Sequence, residues 1–378
     1  MFTKNTNSTK CIKWEKRATL SRFWSPRTWS ILAGLTFGVI AALMTNWGNP
    51  PNMGICVACF IRDIAGALGL HRASAVQYIR PEIIGFLLGA FITSFAFREW
   101  RARGGSSPLI RFLLGAFVMI GALVFLGCPI RMMLRIAGGD LNGVTALAGM
   151  VAGILIGVFF LKKGFNLGRS TKMHPAVGWI MPTLMLGLLL LAIFQPGFIF
   201  ASEEGPGSMF VPPGISLGVG LGVGFLAQRT RMCFVGSWRD LFLVKDSYLF
   251  SGVAAFFIAA LIINYTVGNF AADGLYHWGF VGQPVAHNDH LWNFLGMSLL
   301  GLAATLIGGC PLRNLVLSGE GDTDAGITVL GYFAGAAFAH NFLLASGPQG
   351  TGDFGPVAVI IGLAFCLGVG FLMMERAK

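Results

Sequence analysis

Charge is scarce in this chain. Asp, Glu, Lys and Arg make up 11% of its 378 residues, whereas a soluble domain carries roughly 25%. That shortage excludes a surface turned mainly toward water. Acidic residues are the scarcer kind, 16 against 27 Lys and Arg, leaving a net charge of +11. The sequence has no motif of a DNA- or RNA-binding fold, so this excess does not point to nucleic acid. No A-x-A-like cleavage site follows the first apolar run, so that run reads as an uncleaved helix, not a signal peptide. A disulfide framework is absent too: most of the seven cysteines lie in or beside apolar segments, not in loops as in secreted domains. The six histidines are scattered without ligand spacing. Cys56 and Cys59 form one C-x-x-C with no second pair to complete a zinc site. No metal or cofactor is therefore expected.

What the sequence does have is apolar length. Hydrophobic residues make up 55% and glycines number 53, a composition that suits closely packed and broken helices in a bilayer. A spanning helix takes about 20 apolar residues. Spans are predicted near 28–46, 82–98, 109–126, 141–161, 177–195, 214–228, 247–264, 291–307, 324–344 and 355–374. The fold class is an all-α membrane protein of about ten transmembrane helices plus short re-entrant half-helices.

Lys and Arg orient it. The basic tail (Lys4, Lys10, Lys13, Lys16, Arg17, Arg22, Arg27) precedes the first span. Arg98, Arg101, Arg103 and Arg111 mark one inside loop, Lys162, Lys163, Arg169 and Lys172 a second, and Arg229, Arg231, Arg239 and Lys245 a third. Arg376 and Lys378 put the end of the chain inside as well. Glu203, Glu204 and the segment from Asp273 to Asp289 fall outside. Ten spans with both termini cytoplasmic satisfy all of these positions.

Four apolar stretches are too short to span: 54–81, 127–139, 230–246 and 309–322. They fall at matching positions in two halves, the best sequence pointer to a transporter's binding site. Gly127-Cys128-Pro129-Ile130-Arg131 matches Gly309-Cys310-Pro311-Leu312-Arg313, and Asp140 and Asp322 each follow their cysteine by 12 residues. Upstream, Cys59-Phe60-Ile61 resembles Cys233-Phe234-Val235. Arg62-Asp63 then resembles Arg239-Asp240 with three extra residues in the second copy. Five spans per half is an odd number, so the second half must be inverted. The expected organisation is a basic cytoplasmic tail over 1–27, a first repeat over 28–205 and an inverted second repeat over 206–378.

Proline is favoured at the first position of a helix. Short helices should then begin at Pro129 and Pro311, with Cys128 and Cys310 at their N-caps. Two half-helices aimed at one midplane point form an anion site without burying a full charge. A thiolate would repel an anion, so neutral thiols are expected. The S–H group is a weak donor on a polarizable atom, suited to a soft sulfur or selenium anion that must also be released. The candidate path residues are Cys59, Cys128, Cys233, Cys310, Arg62, Arg131, Arg239 and Arg313. Arg131 and Arg313 are expected to line entry vestibules. Cys56, which has no repeat partner in this alignment, is secondary, as are Asp63 and Asp240. Asp63, Asp140, Asp240 and Asp322 serve equally well as structural partners of Arg. Cys366 reads as packing and Cys11 as inert.

The segments GNPPNMGICVACFIRD, VMIGALVFLGCPIRMMLRIAGGDLNG and FLKKGFNLGR resemble the YeeE/YedE membrane family, and within it the YedE branch associated with selenium transport. The resemblance covers nearly the whole chain after the basic tail. It implies an hourglass of two inverted halves with short helices meeting at the centre. The YeeE branch takes up thiosulfate, its cysteines passing the anion along by S–H hydrogen bonds. That role carries over to Cys59, Cys128, Cys233 and Cys310. The C-x-x-C and the Arg-Asp words depart from the family pattern. Implied partners are a small anionic sulfur or selenium species, the lipid bilayer of a bacterial inner membrane and a small cytoplasmic sulfur-carrier protein. Two other readings compete: a membrane thiol oxidoreductase or sulfurtransferase working through Cys56 and Cys59, and a scaffold with no substrate. Inverted symmetry argues against both.

Overall fold

A computed structural model of the chain describes residues 25–374. Most of the basic tail, with Cys11, and the terminal Arg376 and Lys378 lie outside the described residues. The first half runs α1 (Pro26–Asn46), α2 (Val57–Ala67), α3 (Pro81–Ala96), α4 (Pro108–Phe125), α5 (Pro129–Ala137), α6 (Asn142–Lys162), the single turn α7 (Pro175–Gly178) and α8 (Ile180–Phe194). The second half runs α9 (Pro213–Thr230), α10 (Phe234–Leu243), α11 (Tyr248–Thr266), α12 (His290–Ile307), α13 (Pro311–Gly319), α14 (Thr323–Asn341) and α15 (Gly355–Leu372). Two-residue strands, β1 (Arg103–Gly104) and β2 (Thr171–Lys172), pair antiparallel between loops.

Proline sets most of these starts. It occupies the first turn of α1, α3, α4, α5, α7, α9, α13 and α15, where its missing N–H costs nothing. Among the described residues, eight segments are long and apolar enough to cross a membrane. α9 and α14, of 18 and 19 residues and more polar, lie at the two remaining predicted spans. Two of the eight are 30-residue runs, Pro108–Ala137 and His290–Gly319. Each is broken into a long and a short helix at Leu126-Gly127-Cys128 and at Gly308-Gly309-Cys310. The breaks are made alike: Leu126 (φ 66) and Gly308 (φ 101) both adopt left-handed backbone. That conformation is free for glycine and strained for leucine.

The halves interlock. α1 packs on α11 and α9 on α3; α6 packs on α12 and α14 on α4; α4 and α12 meet across the pseudo-twofold axis. Close approach needs glycine at the crossings. A Cβ on Gly34 would lie 2.0 Å from the Gly252 carbonyl oxygen, and one on Gly85 would lie 2.7 Å from Gly220 Cα. Small residues let membrane helices touch where the hydrophobic effect gives no drive. The last helices break the exchange, since α8 rests on α3 and α13 while α15 rests on α12 and α4.

Each long loop closes over the end of the other half's short helix. The α3–α4 loop bridges Arg103 to Asp322, and the α11–α12 loop bridges Gly279 to Asp140, both in parallel sense. Asp322 takes Arg103 Nε at 2.7 Å and caps α14 through the Ala325 amide. Asp140 takes Arg135 Nε at 2.5 Å and the Asn142 amide at 2.9 Å. The segment from Asp273 to Asp289 is thus more than a solvated loop. It hydrogen-bonds to the backbone at Gly139 and Leu141, and His287 Nε2 pairs with the Val124 carbonyl at 2.8 Å.

Candidate functional site

Four cysteines stand at the N-caps of the four short helices: Cys56 on α2, Cys128 on α5, Cys233 on α10 and Cys310 on α13. This revises the repeat read from the sequence. The Cys-Phe word equated Cys59 with Cys233 and left Cys56 unpaired. By position on the helix, Cys56 is the partner of Cys233. Both sulfurs accept the backbone N–H three residues on, from Cys59 at 3.4 Å and from Gly236 at 3.1 Å. Arg62 and Arg239 then each lie six residues beyond the cap, and no insertion is needed. Cys59 becomes an extra thiol on the first turn of α2, where the second half has Gly236.

All five of these cysteines are buried. In the first half, the Cys56 thiol donates to the Cys59 sulfur at 3.1 Å and to the Cys128 sulfur at 3.5 Å in alternative orientations. The Cys128 sulfur also faces the N–H groups of Ala58 and Arg131. In the second half, the Cys310 amide donates to the Cys233 sulfur at 3.3 Å, and the Cys310 sulfur faces the N–H groups of Phe234 and Arg313. Each Gly-Cys-Pro sulfur therefore sits between two helix N-termini, its own and that of the preceding short helix, where partial positive charge favours an anion. α5 touches α10 and α13 touches α2 across the halves. The buried Tyr332 phenol lies within electrostatic range of Cys128, Cys233 and Cys310.

The arginines separate into distinct roles. Arg131, expected in a vestibule, is fully buried instead. Its Nη1 donates to the Cys59 sulfur at 3.5 Å and to the Leu126 carbonyl, its Nη2 donates to the Val285 carbonyl at 3.0 Å, and its Nε has no partner. Arg313, also expected in a vestibule, pairs with Glu320 at 3.3 Å. The open cleft, of ≈ 300 Å³, is lined by Arg111, Arg239, Asp240 and Gly308 among others. There Arg239 holds Asp240 at 2.8 Å and the Gly308 carbonyl at 3.0 Å.

Arg62 and Asp63 pair at 2.7 Å, and Asp63 also takes Arg80 Nε at 2.8 Å. Arg80 in turn donates to the Met209 and Pro206 carbonyls, tying α2 to the linker between the halves. The four aspartates weighed as structural partners all hold an arginine. Sequence reasoning missed Arg80, Arg135 and the Asn314–Tyr332 bond of 2.9 Å beneath Cys310. It also missed the stacking of His71 on His340, with ring centroids 4.5 Å apart. None of these has a local pattern. An arginine before proline, as in Arg80-Pro81, was the one available cue. Cys366 is buried in α15. Among the described residues, no three His, Cys, Asp or Glu side chains are arranged to hold a metal ion.

The fold and site together define a polytopic membrane protein of two inverted repeats whose polar centre is built from thiols and helix ends. The chain belongs to the sulphur transport (YeeE/YedE) family, which matches residues 2–156 and 229–374. It is 33% identical over 118 residues to the thiosulfate transporter TsuA of Spirochaeta thermophila, covering 31% of this chain and 33% of that protein. It is 28% identical over 115 residues to the thiosulfate transporter TsuA of Escherichia coli, covering 30% of each. An uncharacterised protein of Methanocaldococcus jannaschii is 29% identical over 97 residues, a match that takes in 90% of that protein. The alignments thus span about a third of the two named transporters.

Proposed function

We propose that this protein takes up a soft sulfur- or selenium-containing anion through a path lined by Cys56, Cys59, Cys128, Cys233 and Cys310. The observation that carries the reading is the repeated sulfur at a pair of helix N-termini, Cys128 in one half and Cys310 in the other. Each station offers N–H dipoles for charge and a polarizable S–H for a sulfur or selenium atom, contacts weak enough to let the ion go. Arg131 supplies the buried positive charge beside the first station, and Arg239 lines the cleft that leads to the second. By the positive-inside rule this reading puts that cleft and both termini on the cytoplasmic side of a bacterial inner membrane, where a small sulfur-carrier protein would receive the anion. The repeat boundary falls in the linker near residues 205–206.

The test is uptake by proteoliposomes offered thiosulfate, selenite, selenide or sulfide. One of these anions should enter, and Cys128→Ala and Cys310→Ala should each abolish entry while the protein still inserts. Unchanged uptake by both variants would remove the relay. The 3.1 Å contact of Cys56 and Cys59 favours the rival thiol-enzyme reading, which requires a persulfide or disulfide to appear in step with substrate turnover.

A further inference from the structure

The two halves differ most where symmetry would predict likeness. Cys59 sits on the first turn of α2 and Gly236 on the first turn of α10, each three residues past a capping cysteine. The first half therefore carries a vicinal dithiol that the second half lacks. The backbone of α10 shows how tightly this position faces the cap, because a Cβ on Gly236 would lie 3.1 Å from the Cys233 sulfur. In α2 that space is used, and the sulfurs approach to 3.1 Å within one helical turn. No other pair of these thiols lies within a single element. Joining Cys56 to Cys128, or Cys233 to Cys310, would pull two helices together.

We propose that Cys56 and Cys59 are a redox-modification site, oxidised to a disulfide by a small two-electron oxidant such as hydrogen peroxide, and that this bond closes the first half of the path. The inference rests on the transport reading for the oxidant's access, since both sulfurs are buried and the path is their route to water. In the step, each sulfur loses one electron and one proton as the S–S bond forms. The O–O bond of the peroxide takes up both electrons and both protons and leaves as two waters. A disulfide needs sulfurs at about 2.05 Å, so both must move toward each other. Cys56 is drawn from Cys128 and Cys59 from Arg131 Nη1, contacts that are 3.5 Å each in the dithiol form. Two S–H donors vanish from the path at the same time. The charge distribution in the sequence turns this half outward, toward the compartment where disulfides persist.

The experiment treats the purified full chain with hydrogen peroxide, blocks free thiols with one maleimide, reduces, and labels with an isotopically heavy one. Cys56 and Cys59 should carry the heavy label together, and the intact protein should be two hydrogens lighter. Cys128, Cys233 and Cys310 should carry the light label. Heavy label on Cys233 with Cys310, or on Cys56 with Cys128, would overturn the assignment. In the Gly236→Cys variant a second heavy pair, at positions 233 and 236, should appear. In proteoliposomes, peroxide pretreatment followed by its removal should lower uptake of whichever of the four anions enters about ten-fold or more, because a narrow path fails when its donors are lost. Dithiothreitol should restore it. Cys59→Gly, compared with its own untreated rate, should lose this sensitivity. A mapped disulfide with undiminished uptake would sink the closure while leaving the transport reading intact. An untreated protein that moves none of the four anions would sink the transport reading, and the label map would still decide the dithiol.

Discussion

At the scale of single residues, Arg131 is the least expected feature of the site. It bridges a thiol of α2, the left-handed carbonyl of Leu126 and the α11–α12 loop at Val285. Only a planar fork with several donors spans three such partners; an ammonium group cannot. Arg131→Lys should therefore retain charge yet raise the KM for anion uptake roughly ten-fold, about 1.4 kcal/mol of lost binding, with expression maintained. An unaltered KM would remove Arg131 from the path. The words Gly-Cys-Pro and their arginines were legible because proline fixes the start of a helix and so fixes its cap. What Arg131 touches was not legible. Its partners Cys59 and Val285 lie 72 and 154 residues away along the chain, and no periodicity encodes such a contact. The sequence also misaligned Cys59, because the three-letter likeness of Cys-Phe-Ile to Cys-Phe-Val outweighed the spacing from Cys56 to Arg62.

At the scale of elements, helix contacts set by glycine carry the architecture. Gly34 on α1 meets Gly252 on α11 backbone to backbone, and Gly85 on α3 meets Gly220 on α9. Gly34→Ala should lower stability by about 1–3 kcal/mol, the usual cost of overpacking, or prevent assembly. Thermal unfolding of the detergent-solubilised protein reads this directly. Gly187→Ala on α8, where no atom lies within 4 Å of the added carbon, is the matched control and should be neutral. Gly34→Ala behaving like this control would show that α1 and α11 do not meet at this point. The ten long helices and four short ones were readable from apolar length and proline placement. The breaks in the two 30-residue runs were readable too, from Pro129 and Pro311; the left-handed backbone that makes them was not, because hydropathy does not register a single residue such as Leu126.

At the scale of the whole molecule, the inverted repeat predicts which loops share a face. With Glu203→Cys and Arg169→Cys, both at exposed positions, an impermeant maleimide applied to spheroplasts should label position 203 and spare 169. The reverse pattern would invert the proposed orientation and make the Arg239 cleft the entrance.

The exchange of packing partners also bears on how the protein is made. Most of the packed surface of α1 is supplied by α11, more than two hundred residues later. Synthesis at about 5–20 residues per second leaves the Gly34 groove waiting roughly 10–40 s for its mate. During that interval the nascent first half has lipid, or a bilayer-resident chaperone, where the finished protein has helix. Misassembly between neighbouring nascent copies is the natural hazard of such an order, and ribosome spacing on the message becomes part of what the fold requires.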